Sequence, residues 1–374
     1  MRLVVLQEIP EDQCLRKQWN ALVQEMECPE VFYTYEWAMA VQRAYRRSLS
    51  PLLILGYEGD CLRGVAALAA DLTQGDTVAF LAGTTADYCD LLSSPGYRAE
   101  WFDAVLSTLH SRGYRRLALA NLPGDSASAP ALSKACSRYG YQLLLRPAYS
   151  CARLILGRED HRQSLKRKTN SKKIRRYLNI MGKEGPVSVC HHRTWEEIKP
   201  ILPDFCAAHV ARFVAAGLVS NLAHSERRAF VEELARELSS SGWLRLSRLL
   251  VGNTCVAWNY GFQFSGSWFW YLPTFDTKYE LFSPGFCLLS KIVETACDAP
   301  SLQVVDLGLG TEEYKNRFAT EARQTLHATL DASFLKHARS VVRYRSAAMI
   351  KALPFAEDTW RKIAREVRKF RFQS

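Results

Sequence analysis

WLRLSRLLVGNTCVAWNYGFQFSGSWFWYLPTF, residues 243–275, reads as three β-strands joined by two tight turns. Residues 243–251 alternate apolar and polar side chains, as a half-buried strand does. Gly252-Asn253 and Ser265-Gly266 are turn dipeptides, leaving 254–264 and 267–275 as the second and third strands. Downstream, a helix starts near Gly285 and runs to about 297, with Phe286, Leu289, Val293 and Ala296 at helical spacing. Residues 302–308, LQVVDLG, form one more apolar strand.

The same order lies upstream. Strand 51–57, the turn Glu58-Gly59-Asp60, strand 61–70, the turn Gln74-Gly75-Asp76 and strand 77–82 are followed by a helix at 101–112, ended by Gly113. Strand 116–122 is then broken by Pro123-Gly124. Helices precede each meander, at 11–26 and 35–46 and again at 194–216 and 225–240. The last has Ser225 as its cap, Glu226 in its first turn and Gly242 beyond its end. This duplication predicts an α/β chain with mixed sheet, built from two tandem domains of one type, 1–157 and 185–334. Between them 158–184 reads as a connector, one basic helix ended by Gly182 with Leu165, Ile174, Leu178 and Met181 as its buried stripe. Residues 335–374 form a basic helical tail.

With 374 residues, 48% hydrophobic and 23% charged, two ordinary cores are possible. No apolar run reaches the roughly 18 residues that span a bilayer. MRLVVLQE is too short for a signal-peptide core, so a cytoplasmic location is expected. The 11 cysteines are odd in number and show no CxxC spacing, which predicts reduced thiols. Cys190-His191-His192 places potential ligands on adjacent strand positions that face opposite ways, so no metal site is expected. The net charge of +11 is concentrated. Residues 158–184 carry ten Lys/Arg against three Asp/Glu and 335–374 carry eleven against three, so the remainder sums to −4.

Candidate chemistry gathers late in the chain. Ser283-Pro284-Gly285 stands at a strand-to-helix junction, where free N–H groups suit a phosphate; Ser283 as a helix cap is the structural alternative. Asp306 ends an apolar strand, either as a base or paired with Lys315 or Arg317, and Gly308-Leu309-Gly310 allows a close approach to the backbone. Tyr314 is placed to protonate a leaving group and Lys315 to stabilise a tetrahedral oxyanion, unless the first packs and the second is solvated. Asp276, or Tyr271 five residues before it, faces the same site, or Asp276 is a turn residue. His209, on an amphipathic helix, is an acceptor-site candidate beside its structural reading.

The motifs FYTYEW (32–37), DYCDLL (87–92), CAAHVARFVAAG (206–217), YLPTFD (271–276), SPGFCLLSKIVETA (283–296) and VVDLGLGTEEYKNRF (304–318) resemble the CelD-like acetyltransferase family. That family is named for a protein associated with bacterial cellulose production. It is similar in fold to the Fem-type peptidoglycan-branching transferases, which carry two GNAT-like (N-acetyltransferase-type) domains. The resemblance covers roughly residues 25–330. It implies transfer of an acyl group from acyl-CoA, acetyl-CoA first among them, to an amine or hydroxyl of a polysaccharide, cell-envelope or lipid precursor. Ser283, Gly285 and Phe286 would hold the cofactor, and Lys315 resembles a lysine near the Fem-type transfer centre. Trp37, Asp87 and Tyr88 match family positions, and aromatic and acidic residues there suit a sugar held by stacking and hydrogen bonds, with core packing the alternative for Trp37. Where GNAT enzymes grip pyrophosphate with Q/R-x-x-G-x-G/A, this chain has Phe282-Ser283-Pro284-Gly285-Phe286.

Two other functions fit the sequence. The donor is an aminoacyl-tRNA whose phosphates meet 158–184, although no recognised RNA module is present and no DNA partner is expected. Or the chain is a catalytically silent adaptor of an exopolysaccharide complex. In the tail, Trp360, Ile363, Val367 and Phe370 form one stripe ringed by cations, suited to an anionic membrane at the inner face of the cell or to docking on the second domain. Read as exposed and catalytic, Lys315 is expected on substitution by alanine to lose turnover while the fold stays intact.

Overall fold

A computed structural model describes residues 1–71, 75–310 and 312–352. In chain order the strands are β1 (Arg2–Leu6), β2 (Ser50–Glu58), β3 (Cys61–Ala70), β4 (Thr77–Phe80), β5 (Leu92–Ser93), β6 (Arg116–Pro123), β7 (Gln142–Ile155), β8 (Val187–His192), β9 (Leu244–Val251), β10 (Thr254–Phe264), β11 (Ser267–Phe275), β12 (Val304–Leu309) and β13 (Glu321–Asp331). The helices are α1 (Gln13–Glu25), α2 (Tyr35–Ala44), α3 (Arg98–Ser111), α4 (Ser128–Cys136), α5 (Glu159–Thr169), α6 (Lys172–Met181), α7 (Trp195–Ile198), α8 (Leu202–Ala215), α9 (Ser225–Ser240), α10 (Pro284–Asp298), α11 (Glu313–Asn316) and α12 (Phe334–Ala352). The two-residue hairpins turn where the sequence permits positive φ, at Gly59 (φ 56°), Gly252 (φ 56°) and the pair Ser265 (φ 44°) and Gly266 (φ 78°).

The strands form one mixed sheet, ordered β1-β2-β3-β4-β6-β13-β7-β12-β11-β10-β9-β8, with β5 alongside β3. The order is the same read from either edge. β1 to β4 and β6 answer β8 to β11 and β12, and in each half the two strands around the long helix, α3 or α10, run parallel. The last strand of each half is exchanged. β7 leaves the first half to pair with β12 (Leu154 opposite Val305), and β13 returns to pair with β6 (Leu330 opposite Leu117). β7 and β13 also pair with each other, from Asp331 opposite Gln142 to Glu321 opposite Arg153. The mixed α/β class and the duplication stand as the sequence implied.

One hydrophobic core runs through both halves, joining Phe32, Trp37 and Leu122 to Phe262, Phe269 and Leu244. Across it α2 packs against α9. A second core lies on the other face of the second half, where Leu165, Ile174 and Met181 pack with Leu288, Ile292 and Trp268 beneath α10. The connector is therefore two helices rather than one. The helix ends at Thr169, Asn170 caps it, and extended Ser171 (ψ 152°) redirects the chain. Arg162 of α5 donates to the carbonyls of Ala296, Cys297, Ala299 and Leu302 at 2.6–3.3 Å, neutralising the C-terminal end of α10.

Other expectations change in detail. The helix expected at 194–216 is split into α7 and α8, because Pro200 and Pro203 lack the N–H groups that continuity needs. His224, not Ser225, occupies the N-cap position of α9. Of the tail, α12 is described and packs on β7 and β13. The stripe predicted at 355–372, and Gln74 of one predicted turn, lie outside the described residues. Among the described residues no helix is long and apolar enough to cross a membrane.

Candidate functional site

β11 and β12 pair only through Ser267–Val304, Trp268–Val305 and Phe269–Asp306. Beyond Phe269 they part. β11 continues to Phe275, while β12 bends at Gly308 (φ 67°) and meets β7 at Leu309 opposite Cys151. An open cleft of about 360 Å³ occupies the gap. One wall is β11, with Trp270, Pro273, Thr274 and Phe275; the opposite wall is Ser283, Gly285 and Phe286 at the start of α10; Tyr314 completes the lining, with Lys173, Arg212 and Arg317 as cations and Glu280 as a carboxylate among them. Arg212 donates to the Pro273 carbonyl (2.9 Å) and lies over Phe275, and Arg317 lies over Phe286. The Trp270 indole donates to the Tyr314 hydroxyl at 3.1 Å, leaving the phenolic proton available. Burial pushes Tyr314 up to about 12.

The equivalent gap in the first half is filled. There β4 and β6 pair through Thr77–Arg116 to Ala79–Ala118, and the chain after β4 then crosses the end of β6. Asn121 donates to the Ala86 carbonyl (3.0 Å) and its own carbonyl accepts from Cys89 N (3.0 Å). Trp37 donates to Thr85 Oγ1 (3.1 Å). This loop delivers Asp87 and Tyr88 to the second half.

Tyr88 donates to Asp306 Oδ2 at 2.9 Å, and Gly308 N donates to Asp306 Oδ1 at 2.8 Å. Asp306 is 2% exposed, with Arg153 Nε 3.7 Å away, so it pairs with neither Lys315 nor Arg317. Asp87 is half-buried beside it. A Cβ on Gly308 would stand 2.5 Å from Asp87 Oδ2 and 3.5 Å from Trp270 O, so glycine is needed there to admit Asp87, the chain's own carboxylate. Burial first, and then the charge of Asp306, pushes Asp87 up to about 7; Lys315, Arg227 and the Leu309 N–H act in the opposite direction. Asp306 is also raised, chiefly by burial. Lys315 is 3% exposed and is not solvated. Its ammonium donates to the Leu309 carbonyl at 2.7 Å and meets Glu312 at 2.8 Å.

The remaining sequence candidates lie elsewhere. Strand alternation sends Trp270 to the cleft and Tyr271 to the inter-half core, where Tyr271 accepts from Arg227 (2.7 Å) and donates to the Thr85 carbonyl. Asp276 is a turn residue whose carboxylate accepts from Lys278 N at 3.0 Å. Trp37 is wholly buried among Phe32, Phe230 and Phe262. His209 is buried, shares a hydrogen bond with Ser220 (2.8 Å) and stacks on Phe213, and burial lowers it to about 4. Ser283 takes the N-cap position with φ 46° but makes no side-chain cap. Cys190, His191 and His192 diverge along β8. His191 meets Ser247 (2.8 Å) and His192 accepts from Arg248 (3.1 Å). Among the described residues no group of three His, Cys, Asp or Glu is placed to hold a metal ion. Trp270, Arg212 and Lys173 were not singled out in the sequence, and Arg317 only as a possible partner of Asp306. Period-two alternation along 267–275 would have found Trp270; the three cations carry no local signal.

Residues 166–316 match the model of the Acetyltransferase (GNAT) domain. No curated protein matches the sequence. Among solved structures, FemX superposes with a TM-score of 0.59 at 9% identity, over 88% of this chain and 97% of that one. L-PGS from Bacillus licheniformis gives 0.55 at 11% identity, over 90% and 96%. The C-terminal domain (DUF2156) of a putative lysylphosphatidylglycerol synthetase from Agrobacterium fabrum gives 0.53 at 10%, over 87% and 94%. At these identities the likeness is one of fold. The chain thus carries a GNAT-type acetyltransferase domain, whose match begins inside α5, within a two-half fold that these structures share almost end to end.

Proposed function

We propose that the chain transfers an acyl group from a pantetheine thioester, acyl-CoA and in particular acetyl-CoA, to an amine or hydroxyl of a polysaccharide, cell-envelope or lipid precursor. The observation that carries this reading is the parting of β11 from β12 after Phe269 and Asp306. It leaves a strand edge along an aromatic cleft, and a strand edge offers backbone hydrogen bonds to a ligand that itself carries amides. The acceptor class comes from the CelD-like resemblance.

The roles follow from position. Lys173, Arg317 and the start of α10 suit phosphate. Asp87 does not line the cleft but lies beside Gly308 and the Trp270 backbone at its border, and with its pKa raised to about 7 it takes the acceptor's proton as the acceptor attacks the thioester carbonyl. Tyr314 keeps its proton at neutral pH and gives it to the departing thiolate as the C–S bond breaks. Asp306 and Lys315 are positioning residues, one holding the loop of Tyr88 and the other the Leu309 carbonyl.

The test is the thermal midpoint with acetyl-CoA, for the native chain and for Gly285→Leu. A Cβ at Gly285 meets only Phe275 at 3.5 Å, so a larger side chain there extends into the cleft without disturbing the helix. A ligand at 100 times its Kd stabilises by about 2.7 kcal/mol. A shift in the native chain that Gly285→Leu abolishes supports the reading. No shift with any pantetheine thioester removes it and favours an aminoacyl-tRNA donor or the silent adaptor.

A further inference from the structure

The solvent face of α6 is the strongest unassigned feature. Lys172, Arg175 and Arg176 of α6 and Lys183 just beyond its end are exposed and line a shallow depression together with Asn179 and Ile180. None of the four forms an ion pair among the described residues, although exposed cations elsewhere do, as Lys166 does with Asp298 and Arg236 with Glu232 and Glu233. The face adjoins the cleft. Lys173, on the same helix, lines it, and α6 packs on the Thr277–Phe282 turn that leads to Ser283. Four like charges within twelve residues, three on α6 and Lys183 just past its end, repel one another, and an anionic partner relieves that repulsion.

The start of α10 is a poor cradle for a diphosphate. Pro284 has no N–H, Ser283 N donates to the Glu280 carbonyl (3.0 Å), and Phe286 N and Cys287 N both donate to the Ser283 carbonyl (3.0 and 3.1 Å). Gly285 alone keeps an amide for a ligand. One free amide, in a lining where Lys173, Arg212 and Arg317 are partly offset by Glu280, suits a single phosphodiester better than a pyrophosphate.

We propose that the acyl donor is presented on an acidic carrier protein, which docks on α6 and inserts its phosphopantetheine arm into the cleft. This rests on the thioester reading above. A phosphopantetheine arm has one phosphodiester, and an acidic helical surface complements the unpaired cations, with Ile180 supplying apolar contact. RNA fits less well. The depression carries no aromatic ring on which a base stacks, and Tyr177 is covered by Lys173. The chemistry balances: the acceptor's N or O bonds to the thioester carbonyl carbon, its proton passes to Asp87, the C–S bond breaks, and the carrier's thiolate takes the proton of Tyr314.

The experiment measures binding to the immobilised full chain. The probes are a fatty-acid-synthesis acyl carrier protein in apo, holo and acetyl forms, acetyl-CoA, and unfractionated tRNA. The acetyl carrier is expected to bind at least tenfold more tightly than both acetyl-CoA and the apo carrier, with affinity falling steeply as salt is raised. The triple variant Lys172→Glu, Arg175→Glu, Arg176→Glu is expected to lose carrier affinity at least tenfold while acetyl-CoA affinity changes less than twofold. The salt dependence of the native chain gives the same information without a variant. Acetyl-CoA binding as tightly as the carrier, or a carrier affinity indifferent to salt and to the triple variant, overturns the inference and leaves the thioester reading standing. Binding of neither acetyl-CoA nor carrier overturns both. A preference for tRNA over the carrier overturns it in favour of RNA.

Discussion

Tyr88 and Asp306 stand 218 residues apart in sequence and 2.9 Å apart in space. The phenol comes from the first half and the carboxylate from the second. Because Asp306 is buried, removing its donor would leave a carboxylate short of a partner in a site that water does not reach. The bond therefore ties the loop that carries Asp87 to the strand end that borders the cleft. The proposed chemistry depends on both halves at once.

Asp87 gives the pH prediction. Its folded value near 7 lies above the ordinary 3.8, so the folded chain retains a proton that the unfolded chain releases. Its contribution to stability is thus greatest below about pH 4 and is lost as pH rises towards 7. Asp87→Asn should flatten that part of the stability profile, measured by denaturant titration across pH 4–8. As the base, Asp87 should make kcat/KM rise with pH and level off above about 7. Asp87→Asn should lower kcat by about 100-fold or more while donor affinity is kept.

Tyr314→Phe separates proton donation from binding. A fall in kcat of about tenfold to 100-fold with unchanged donor Kd is expected. A thiol leaving group of lower pKa should narrow the gap, since it needs the proton less. The Trp270 N–H loses its acceptor, at a stability cost of about 1 kcal/mol.

Lys315→Ala should unsettle the fold, contrary to the tolerance expected of an exposed lysine. The ammonium is buried and holds both the Leu309 carbonyl and Glu312. Loss of about 2 kcal/mol is expected from urea unfolding. A stability within a few tenths of the native chain would show that this contact is idle.

Arg323 of β13 pairs with Glu30 (2.5 Å) and Asp125 (2.9 Å), both in the first half, and lies over the Tyr88 ring. Arg323→Met should cost about 3–5 kcal/mol, because it strands a buried carboxylate. Burial already pushes Glu30 up to about 7 even with Arg323 beside it. The double variant with Glu30→Gln should recover part of that loss, which a double-mutant cycle measures.

The sequence shows the meanders because their information is local. Gly59, Gly252 and Ser265-Gly266 fix the turns, and alternation fixes the strands between them. β7 and β13 are silent for the opposite reason. β7 carries Pro147 and two arginines, Arg146 and Arg153, β13 reads as polar, and what makes each a strand is its pairing with the other half. β1, at one edge of the sheet, and α4 were likewise unmarked. The site divides along the same line. Ser283, Gly285, Phe286 and Tyr314 could be picked out because a short segment brings a helix start and an aromatic to one cleft. The nearness of Asp87 to Asp306, the burial of Lys315 and the arrival of Lys173 depend on contacts that no local pattern encodes.

The crossing of β7 and β13 makes the chain equivalent to a domain-swapped dimer written on one polypeptide. Cut between α6 and β8, each fragment would lack the strand that completes its own sheet, so the two pieces should dissolve and fold only when mixed. In a true homodimer every substitution would appear twice, and two identical clefts would be obligatory. Fusion through α5 and α6 removes that constraint. One copy keeps its cleft open, and the other has closed its own and lends the loop of Asp87 and Tyr88 to its sister.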